Sequence, residues 1–500
     1  MTAYDIYLLS PELCLVGVAL LILLVDFLAK DRRFLPVLVV SGLVAALALT
    51  TALWIDLDHG DPAVTGVFGT LSVDKFSLFI KFLLAGSMAV VVLMSTEYSR
   101  RFDTLRAEYF ALILLSVAGM MLLGSTLELI TIYIALELTA LPLAALVALA
   151  GSSRSTEAGM KFLILSALSS ALLLYGMVWV YGFAGSTDLG EIARGIFSVS
   201  SGAEPLGGYA LLLGIVFIIA GFGFKISTVP FQMWVPDVYE GAPTPVTAFL
   251  SVASKAAGFA VILRVFYVAF PDSLVSIEWS AIFAVLAIMS MTLGNFVAIA
   301  QRGMKRLLAY STIAHAGYIM VGLAAVTARD PAGGNPEGPA GVLFYLVGYA
   351  ATNLAAFAAV IAISNRVGSD RIKDMAGMGR RAPWLAAALT FALISLTGVP
   401  PTVGFMIKLN IFSAAASSGL SWLVLAGALN SVVSAYYYVR VIKVMYLSEP
   451  AEARPVKGER PLHVALGVSV AALLFFGVYP TPLIRMAKTA AEVLSIGPVM

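Results

Sequence analysis

Apolar runs of about 20 residues, separated by short polar breaks, recur from one end of the chain to the other. As a helix rising 1.5 Å per residue, each run is long enough to cross a hydrocarbon layer of about 30 Å. The pattern predicts fourteen spans, at 8–28, 35–55, 73–95, 107–124, 127–149, 159–183, 208–240, 244–269, 277–300, 303–326, 339–363, 383–418, 421–446 and 461–480. Ten-residue segments of alternating polarity, the mark of a membrane barrel, are absent. The expected fold is therefore an all-α polytopic membrane protein with about 14 transmembrane helices. The first run, PELCLVGVALLILLVDFLA, has no basic residue before it and no small-residue cleavage site after it, and reads as a retained helix.

Two spans carry breakers at membrane depth. The seventh meets Pro230 and Pro236 in GFGFKISTVPFQMWVPDVYEGAPTPV, and the twelfth meets Pro400 and Pro401 beside Gly398 and Gly404 in ISLTGVPPTVGFMIKLNIF. Proline removes a donor and clashes with the carbonyl four residues back, so both helices are expected to break near mid-membrane. Broken backbone at that depth has to be buried in protein or line a cavity. The two breaks lie five spans apart, as they would if spans 4–8 and 9–13 were duplicated five-helix units. An odd-numbered unit inverts its successor, so the repeats are expected to be inverted, a plan in which ion sites lie at the repeat interface. The corresponding division is 1–106, an N-terminal three-helix segment; 107–270 and 271–446, the two five-helix repeats; and 447–500, a C-terminal helix and tail.

Composition agrees: the 500 residues are 60% hydrophobic and 12% charged, with a mean hydropathy of +0.95. The net charge of +2 averages two unlike faces. Connections after odd-numbered spans, with Arg440 and Lys443 at a helix end on the same side, hold twenty Lys and Arg; the opposite face offers Arg194, Arg329, Arg485 and Lys488. The positive-inside rule then places the basic loops in the cytoplasm and both termini in the periplasm of a bacterial inner membrane. No nucleic-acid partner is implied. One cysteine, Cys14, reads as a small apolar residue of the first helix; a lone thiol excludes an iron–sulfur cluster held by this chain, which needs about four. No phosphate-cradling or dinucleotide-binding glycine motif occurs, and His59 and His463 lie too far from His315 in depth to build a metal site.

Once the orientation charges are set aside, five titratable residues remain at membrane depth: Glu137 on span five, Lys225 on span seven, Lys255 on span eight, His315 on span ten and Lys408 on span twelve. Each ionised residue facing lipid at a helix centre costs at least about 2.5 to 3.5 kcal/mol, so such groups face a protein interior or water and mark ion or proton paths. Burial in an apolar surround weakens an amine's hold on its proton, and a neighbouring carboxylate strengthens it. A movable carboxylate–amine contact is therefore a proton switch. Simpler readings compete: buried lysines also pair structurally or reach for the interface, and a neutral histidine can hydrogen-bond between helices. Lys75 and Lys161, near span ends, read as anchors, while Lys81, two turns into span three, is left open. The tyrosines of AYYYVRV read as an interface belt. The terminal TPLIRMAKTAAEVLSIG reads either as an amphipathic surface helix or as a partner contact.

The stretches KISTVPFQMWVPDVYEGAPTPVTAFLSVASKAAGFAVILRVF, KRLLAYSTIAHAGYIMVG, YAATNLAAFA, DMAGMGRRAPWLAAAL, PPTVGFMIKLNIF and SAYYYVRVIKVMY, in order from about Tyr109 to Tyr446, resemble the antiporter-like membrane subunits of proton-pumping NADH:quinone oxidoreductase, respiratory complex I. Within that family, fourteen spans, PDVY at 236–239 and a lysine at 408 favour the N-type subunits over the L and M types. The resemblance implies a proton-translocating membrane-arm subunit driven by quinone reduction elsewhere in the complex. Glu137 would pair with Lys225, Lys255 would be the central group of a polar axis, His315 would bridge onward, and Lys408 would lead to the exit. It also implies no cofactor in this chain, with flavin and iron–sulfur clusters on partner subunits and quinone used by the complex but not bound here. The implied partners are the lipid bilayer, the antiporter-like subunit M and small subunits such as K. Two other functions compete: a subunit of a multi-subunit cation/proton antiporter, which shares most of these motifs, and a structural membrane scaffold.

Overall fold

The computed structural model of the chain describes residues 2–28, 34–60, 63–200, 205–271, 273–326, 336–449 and 460–495. The basic residues Lys30, Arg32, Arg33, Arg329, Arg454 and Lys457, counted above for orientation, lie outside these ranges. A short α1 (Ala3–Leu8) leads into α2 (Ser10–Leu28) and α3 (Leu35–His59). An antiparallel hairpin of β1 (Ala63–Gly66) and β2 (Leu71–Asp74) follows. Next come α4 (Lys75–Tyr98), α5 (Arg106–Ser125), α6 (Leu129–Ala148), α7 (Ser153–Ala184), the short α8 (Leu189–Ser200) and α9 (Pro205–Ile226). After a break, α10 (Trp234–Gly241) precedes α11 (Thr244–Phe249), which passes through one π turn, Leu250–Ser254, into α12 (Lys255–Val268). Then follow α13 (Ser273–Ile299), α14 (Met304–Ala324), α15 (Glu337–Val367), a single turn α16 (Met378–Arg381), α17 (Pro383–Thr397), α18 (Val403–Ser417), α19 (Ser421–Leu447), α20 (Arg460–Val478) and α21 (Thr481–Ser495).

Thirteen of the described helical stretches are long and apolar enough to cross a membrane, and α17 with α18 supplies the fourteenth in two pieces. Packing repeats in two sets. In the first, α5 packs on α6, α6 on α7, α7 on α9, and α12 returns to α5; in the second, α13 packs on α14, α14 on α15, α15 on both α17 and α18, and α19 returns to α13. The fourth member is broken in each set, as the prolines predict. Five helices per set leave the second inverted relative to the first.

Both breaks satisfy the backbone groups they expose. The first lies at 227–233: Ser227 turns into the left-handed region at φ 65°, the Val229 amide donates to Ser290 Oγ at 2.9 Å, and the Trp234 indole takes the freed Phe224 carbonyl at 3.0 Å. Pro236 does not break the chain further, because it sits in the first turn of α10, where a missing amide hydrogen is harmless. The second break has Gly398 at φ 91°, and the amide of Gly404, at the start of α18, donates to Ser395 Oγ of α17 at 3.1 Å.

The innermost helices are those of the span holding Lys255, whose apolar window is entirely buried, and α14, at 94%. Neither can present its ionisable residue to lipid. Two features depart from the sequence reading, and a third settles an alternative it left open. The β-hairpin was not expected; its short strands sit inside what read as loop. Tyr437 and Tyr438 are not an interface belt: both are fully buried against α13 and α14, and of the three neighbours only Tyr436 is exposed. Finally, α21 is an amphipathic helix that seats Leu483, Ala487, Ala490, Ala491 and Leu494 on a surface made by α4, α12 and α15.

Candidate functional site

Four of the five residues singled out at membrane depth lie in the protein interior, and the fifth, Glu137, lies partly at the surface. Lys225, Lys255, His315 and Lys408 are buried, with no more than 7% of their surface exposed, and Glu137 is half-buried. Lys255, in the first turn after the π turn, donates from Nζ to the Thr312 carbonyl of α14 at 2.6 Å. That contact joins the fifth helix of the first set to the second helix of the second. Thr312 Oγ1 meets the Tyr349 hydroxyl at 3.0 Å, and one turn along α14 the His315 Nδ1 meets the Tyr345 hydroxyl at 2.8 Å. The His315 ring lies between Tyr349 (5.1 Å between centroids) and Tyr318 (5.7 Å), and the side chain is within electrostatic reach of both Lys255 and Lys408.

Lys408 ends this file in a well-filled cradle. Its Nζ donates to the Thr397 carbonyl at 2.9 Å, the Leu396 carbonyl at 3.1 Å and Ser431 Oγ at 3.1 Å, and it lies 4.5 Å from the centre of the Tyr318 ring. The two carbonyls belong to the broken C-terminus of α17, where backbone acceptors lack partners and the helix dipole favours a cation. The twelfth-span break is thus the binding site of its own lysine.

The first set differs. Lys225 Nζ, in the last turn of α9, makes no hydrogen bond, and among the described residues no ion pair joins it to Glu137. Glu137 Oε1 instead accepts from Ser170 Oγ of α7 at 2.5 Å, while its charge still acts on Lys225. The direct Glu137–Lys225 pair expected from the resemblance is open in this structure. Ser170 holds the carboxylate away, and the lysine, its own helix end already capped by Trp234, has no substitute acceptor. A Cβ added to Gly258 of α12 would lie 2.9 Å from Ile226 Cγ2 and 3.6 Å from the Lys225 Cβ, so the Lys225 and Lys255 helices pack closely at this glycine.

One buried arginine escaped the sequence reading, and the remaining lysines near or within spans find partners. Arg264 sits nine residues beyond Lys255 in the same apolar span and is fully buried. It forms a two-pronged ion pair with Asp74, the N-cap of α4, at 2.7 and 3.0 Å, and donates to the Gly124 carbonyl at 2.8 Å. Lys81, left open above, pairs with Glu12 of α2 at 2.8 Å with both side chains buried. Lys75 and Lys161 are paired at span ends, Lys75 with Asp58 at 2.7 Å and Lys161 with Glu157 at 2.8 Å and Asp237 at 3.1 Å, as anchors would be. The signal for Arg264 was present, an arginine in VILRVF, but only the fold supplies its partner, 190 positions away in sequence.

Residues 126–434 match the family described as "NADH:quinone oxidoreductase/Mrp antiporter, TM". Over 492 residues, covering 97% of this chain and 99% of the relative, the sequence is 44% identical to NADH-quinone oxidoreductase subunit N of Dehalococcoides mccartyi. It is 41% identical to subunit N of Moorella thermoacetica, covering 97% of this chain and 98% of that one. The chain belongs to the NADH-quinone oxidoreductase subunit N family. A chain in the structure of respiratory complex I from Thermus thermophilus with bound aureothin superposes with a TM-score of 0.77 at 30% identity, covering 96% of this chain and 99% of that one. This near full-length agreement selects the subunit N family over the cation/proton antiporter alternative. As a subunit N, the chain is a multi-pass membrane member of a multi-subunit enzyme complex, and its buried lysine–histidine–lysine file runs across the two helix sets. Among the described residues no group of three or more His, Cys, Asp and Glu is placed to hold a metal.

Proposed function

We propose that this chain translocates protons in the membrane arm of an NADH:quinone oxidoreductase through Glu137, Lys225, Lys255, His315 and Lys408, driven by quinone reduction on other subunits. The observation that carries the reading is the buried file itself. Lys255, Thr312, Tyr349, His315, Tyr345, Tyr318 and Lys408 follow one another by hydrogen bonds or ring contacts in the innermost part of the fold. Glu137 and Lys225 form the loading pair, with Ser170 holding the carboxylate in the open state. Closing that pair stabilises a proton on Lys225, and reopening it releases the proton toward Lys255. Carrying one charge against about 150 mV requires roughly 3.5 kcal/mol, a free energy that making or breaking one buried ion pair supplies. No covalent chemistry is needed in the chain.

The flavin and iron–sulfur chemistry belongs to partner subunits, and the neighbours are a second antiporter-like subunit of the M type and small subunits such as K. The chain sits in a bacterial inner membrane with both termini in the periplasm. This follows from its lysine and arginine asymmetry.

The test is Lys255→Ala in the assembled complex, reconstituted in vesicles. Assembly is expected to persist while NADH-driven acidification, and the quinone turnover coupled to it, fall sharply. Glu137→Ala should behave likewise, and Lys225→Ala should be comparable or milder. Full pumping by an assembled Lys255→Ala complex would reduce the chain to a scaffold.

A further inference from the structure

Lys408 also has a hydrogen-bonded connection that passes the Tyr318 hydroxyl and continues toward the C-terminal end of α13. Its Nζ donates to Ser431 Oγ, and Ser431 Oγ donates to the Tyr318 hydroxyl at 3.4 Å. Asn295 of α13 donates from Nδ2 to the same hydroxyl at 3.3 Å, and its Oδ1 accepts from the Tyr437 hydroxyl at 2.9 Å. Tyr437 lies one turn before Arg440, whose guanidinium donates to the Ile299 carbonyl at 2.6 Å and the Gln301 carbonyl at 2.7 Å, at the C-terminal end of α13. Arg440, Gln301 and Val444 line a cavity of about 720 Å³ there, among the basic residues Arg154, Arg302, Arg306, Arg371 and Lys373. Asn295 is four residues from Ile299, so at 1.5 Å per residue only about 6 Å of helix separates it from that end. Apart from this one residue, every side chain from Lys408 to Tyr437 is an amine or a hydroxyl.

We infer that Asn295 is the proton seal of the second helix set, insulating Lys408 from the basic face while holding the hydrogen-bonded file closed. This rests on the proton-translocation reading above. A hydroxyl relays a proton by accepting one on its oxygen and releasing another from the same oxygen. A carboxamide has a pure acceptor on one atom and pure donors on another. To pass a proton it would have to become a cation at Oδ1 and then lose a hydrogen from Nδ2, in a site where Asn295 is fully buried and solvent cannot stabilise either form. Its bonds also run in opposing directions. Donors from the Lys408 side and from Asn295 converge on the Tyr318 oxygen, so no single direction of hopping runs through the file.

The side branch is closed by the same means. Asn295 Nδ2 also donates to Asn430 Oδ1 at 3.3 Å, and Asn430 Nδ2 donates to Thr292 Oγ1 at 3.3 Å and the Ala426 carbonyl at 3.0 Å. A second carboxamide thus stands where the branch leaves. The Ser311–Tyr438 hydroxyl pair joins the file at Tyr437, on the far side of Asn295 from Lys408. A leucine at 295 would exclude protons equally well. The amide does so while bonding the buried hydroxyls of Tyr318 and Tyr437, and an apolar residue would give up both of those bonds.

The experiment uses the whole complex in sealed vesicles and reads two quantities: the decay of an imposed pH gradient without turnover, and acidification with NADH and quinone. Asn295→Asp, which can both accept and release a proton, is expected to make the passive decay several-fold faster while quinone reduction continues, freed from back-pressure. Asn295→Leu is expected to hold the imposed gradient as the wild type does. Asn295→Ser, uncharged and able to relay, gives the same leak should the buried aspartate prevent assembly, and adding Tyr437→Phe to either leaking variant should restore the gradient. Wild-type gradient retention by assembled Asn295→Asp or Asn295→Ser overturns the seal, as does equal leakage through Asn295→Leu. The passive decay is measured without pumping. Failure of the translocation reading would show instead as pumping that survives Lys255→Ala, with the leak unaffected.

Discussion

Gly404, at the start of α18, offers the sharpest mechanical test of how Lys408 is held. A Cβ built on Gly404 would lie 1.6 Å from the Ser395 carbonyl oxygen of α17, and this contact has to grow to at least 3.0 Å before even a tight packing distance is reached. The obstruction is backbone on both sides, so Gly404→Ala has to part the two halves of the broken span by more than 1 Å. The Lys408 bonds to Thr397 and Leu396 measure 2.9 and 3.1 Å, and the same displacement takes both beyond hydrogen-bonding distance. Each bond from a charged donor contributes about 1.5 to 3 kcal/mol. Their joint loss, about 3 to 6 kcal/mol, is therefore comparable to or larger than the roughly 3.5 kcal/mol needed to move one charge against 150 mV. The complex carrying Gly404→Ala is expected to assemble, but its NADH-driven acidification should fall to that of Lys408→Ala. Gly86→Ala and Gly467→Ala, whose added methyls meet nothing within 4 Å, serve as controls and should pump normally. Wild-type acidification by assembled Gly404→Ala would refute the claim that the α17 carbonyls are the operating cradle of Lys408.

Ser170→Ala removes the bond that keeps Glu137 off Lys225; with a contribution of about 1.5 kcal/mol for a bond to a carboxylate, the closed pair should gain about tenfold in population and acidification should slow accordingly. Tyr345→Phe takes away the partner of His315 without changing packing, and is expected to slow pumping while leaving assembly and thermal stability within about 1 kcal/mol of wild type, measured by melting of the purified complex. Arg264→Met leaves Asp74 buried and uncompensated and should destabilise by about 3 to 5 kcal/mol, whereas adding Asp74→Asn should recover most of that loss, read as a melting temperature. Desolvation pushes the Asp74 carboxyl up, but the Arg264 guanidinium and the Ser77 amide outweigh it and hold it below its usual 3.8. The lowered value means that this stabilisation is fully present above the unfolded carboxylate range and fades as pH falls through the folded value. A melting temperature that declines below about pH 4 in the wild type and stays flatter in Asp74→Asn would bear this out.

The fourteen spans were legible because lipid forces every spanning segment to hide its backbone in a helix, leaving a run of apolar side chains as the trace. The breaks in spans seven and twelve were legible for a local reason: Pro230, Pro400 and Pro401 act on their own helices whatever surrounds them. The five titratable residues at membrane depth stood out because a charge inside an apolar run is costly. Partnerships were not legible. Ser170, Thr312 and Ser431 are ordinary small polar residues of apolar helices until folding brings them to Glu137, Lys255 and Lys408. Tyr437 and Tyr438 misled because a tyrosine near a helix end is compatible with either the headgroup layer or the interior. Only the neighbouring Asn295 and Ser311 decide between them. The hairpin before α4 was hidden because two four-residue strands leave too short a pattern to distinguish from loop.

On the proposed proton path, the unlike state of the two broken helices sets a direction. At the second break Lys408 has three acceptors, so a proton arriving there meets a site already built for a cation. At the first, Trp234 occupies the freed Phe224 carbonyl and Lys225 has no acceptor, so its charge depends on Glu137, which is held on Ser170. Two inverted halves of one plan thus differ in who satisfies the broken helix end: an indole in one, the working lysine in the other. The first lysine can be loaded or emptied by moving a carboxylate, whereas the second is emptied only when the α17 terminus itself shifts. Lys255 bridges the halves through the Thr312 carbonyl of α14, the helix that also carries His315 and Tyr318 to the Lys408 cradle. A displacement of α14 therefore acts on Lys255 and Lys408 together, and on the proposed path this would couple loading in one half to release in the other without any contact between Glu137 and Lys408.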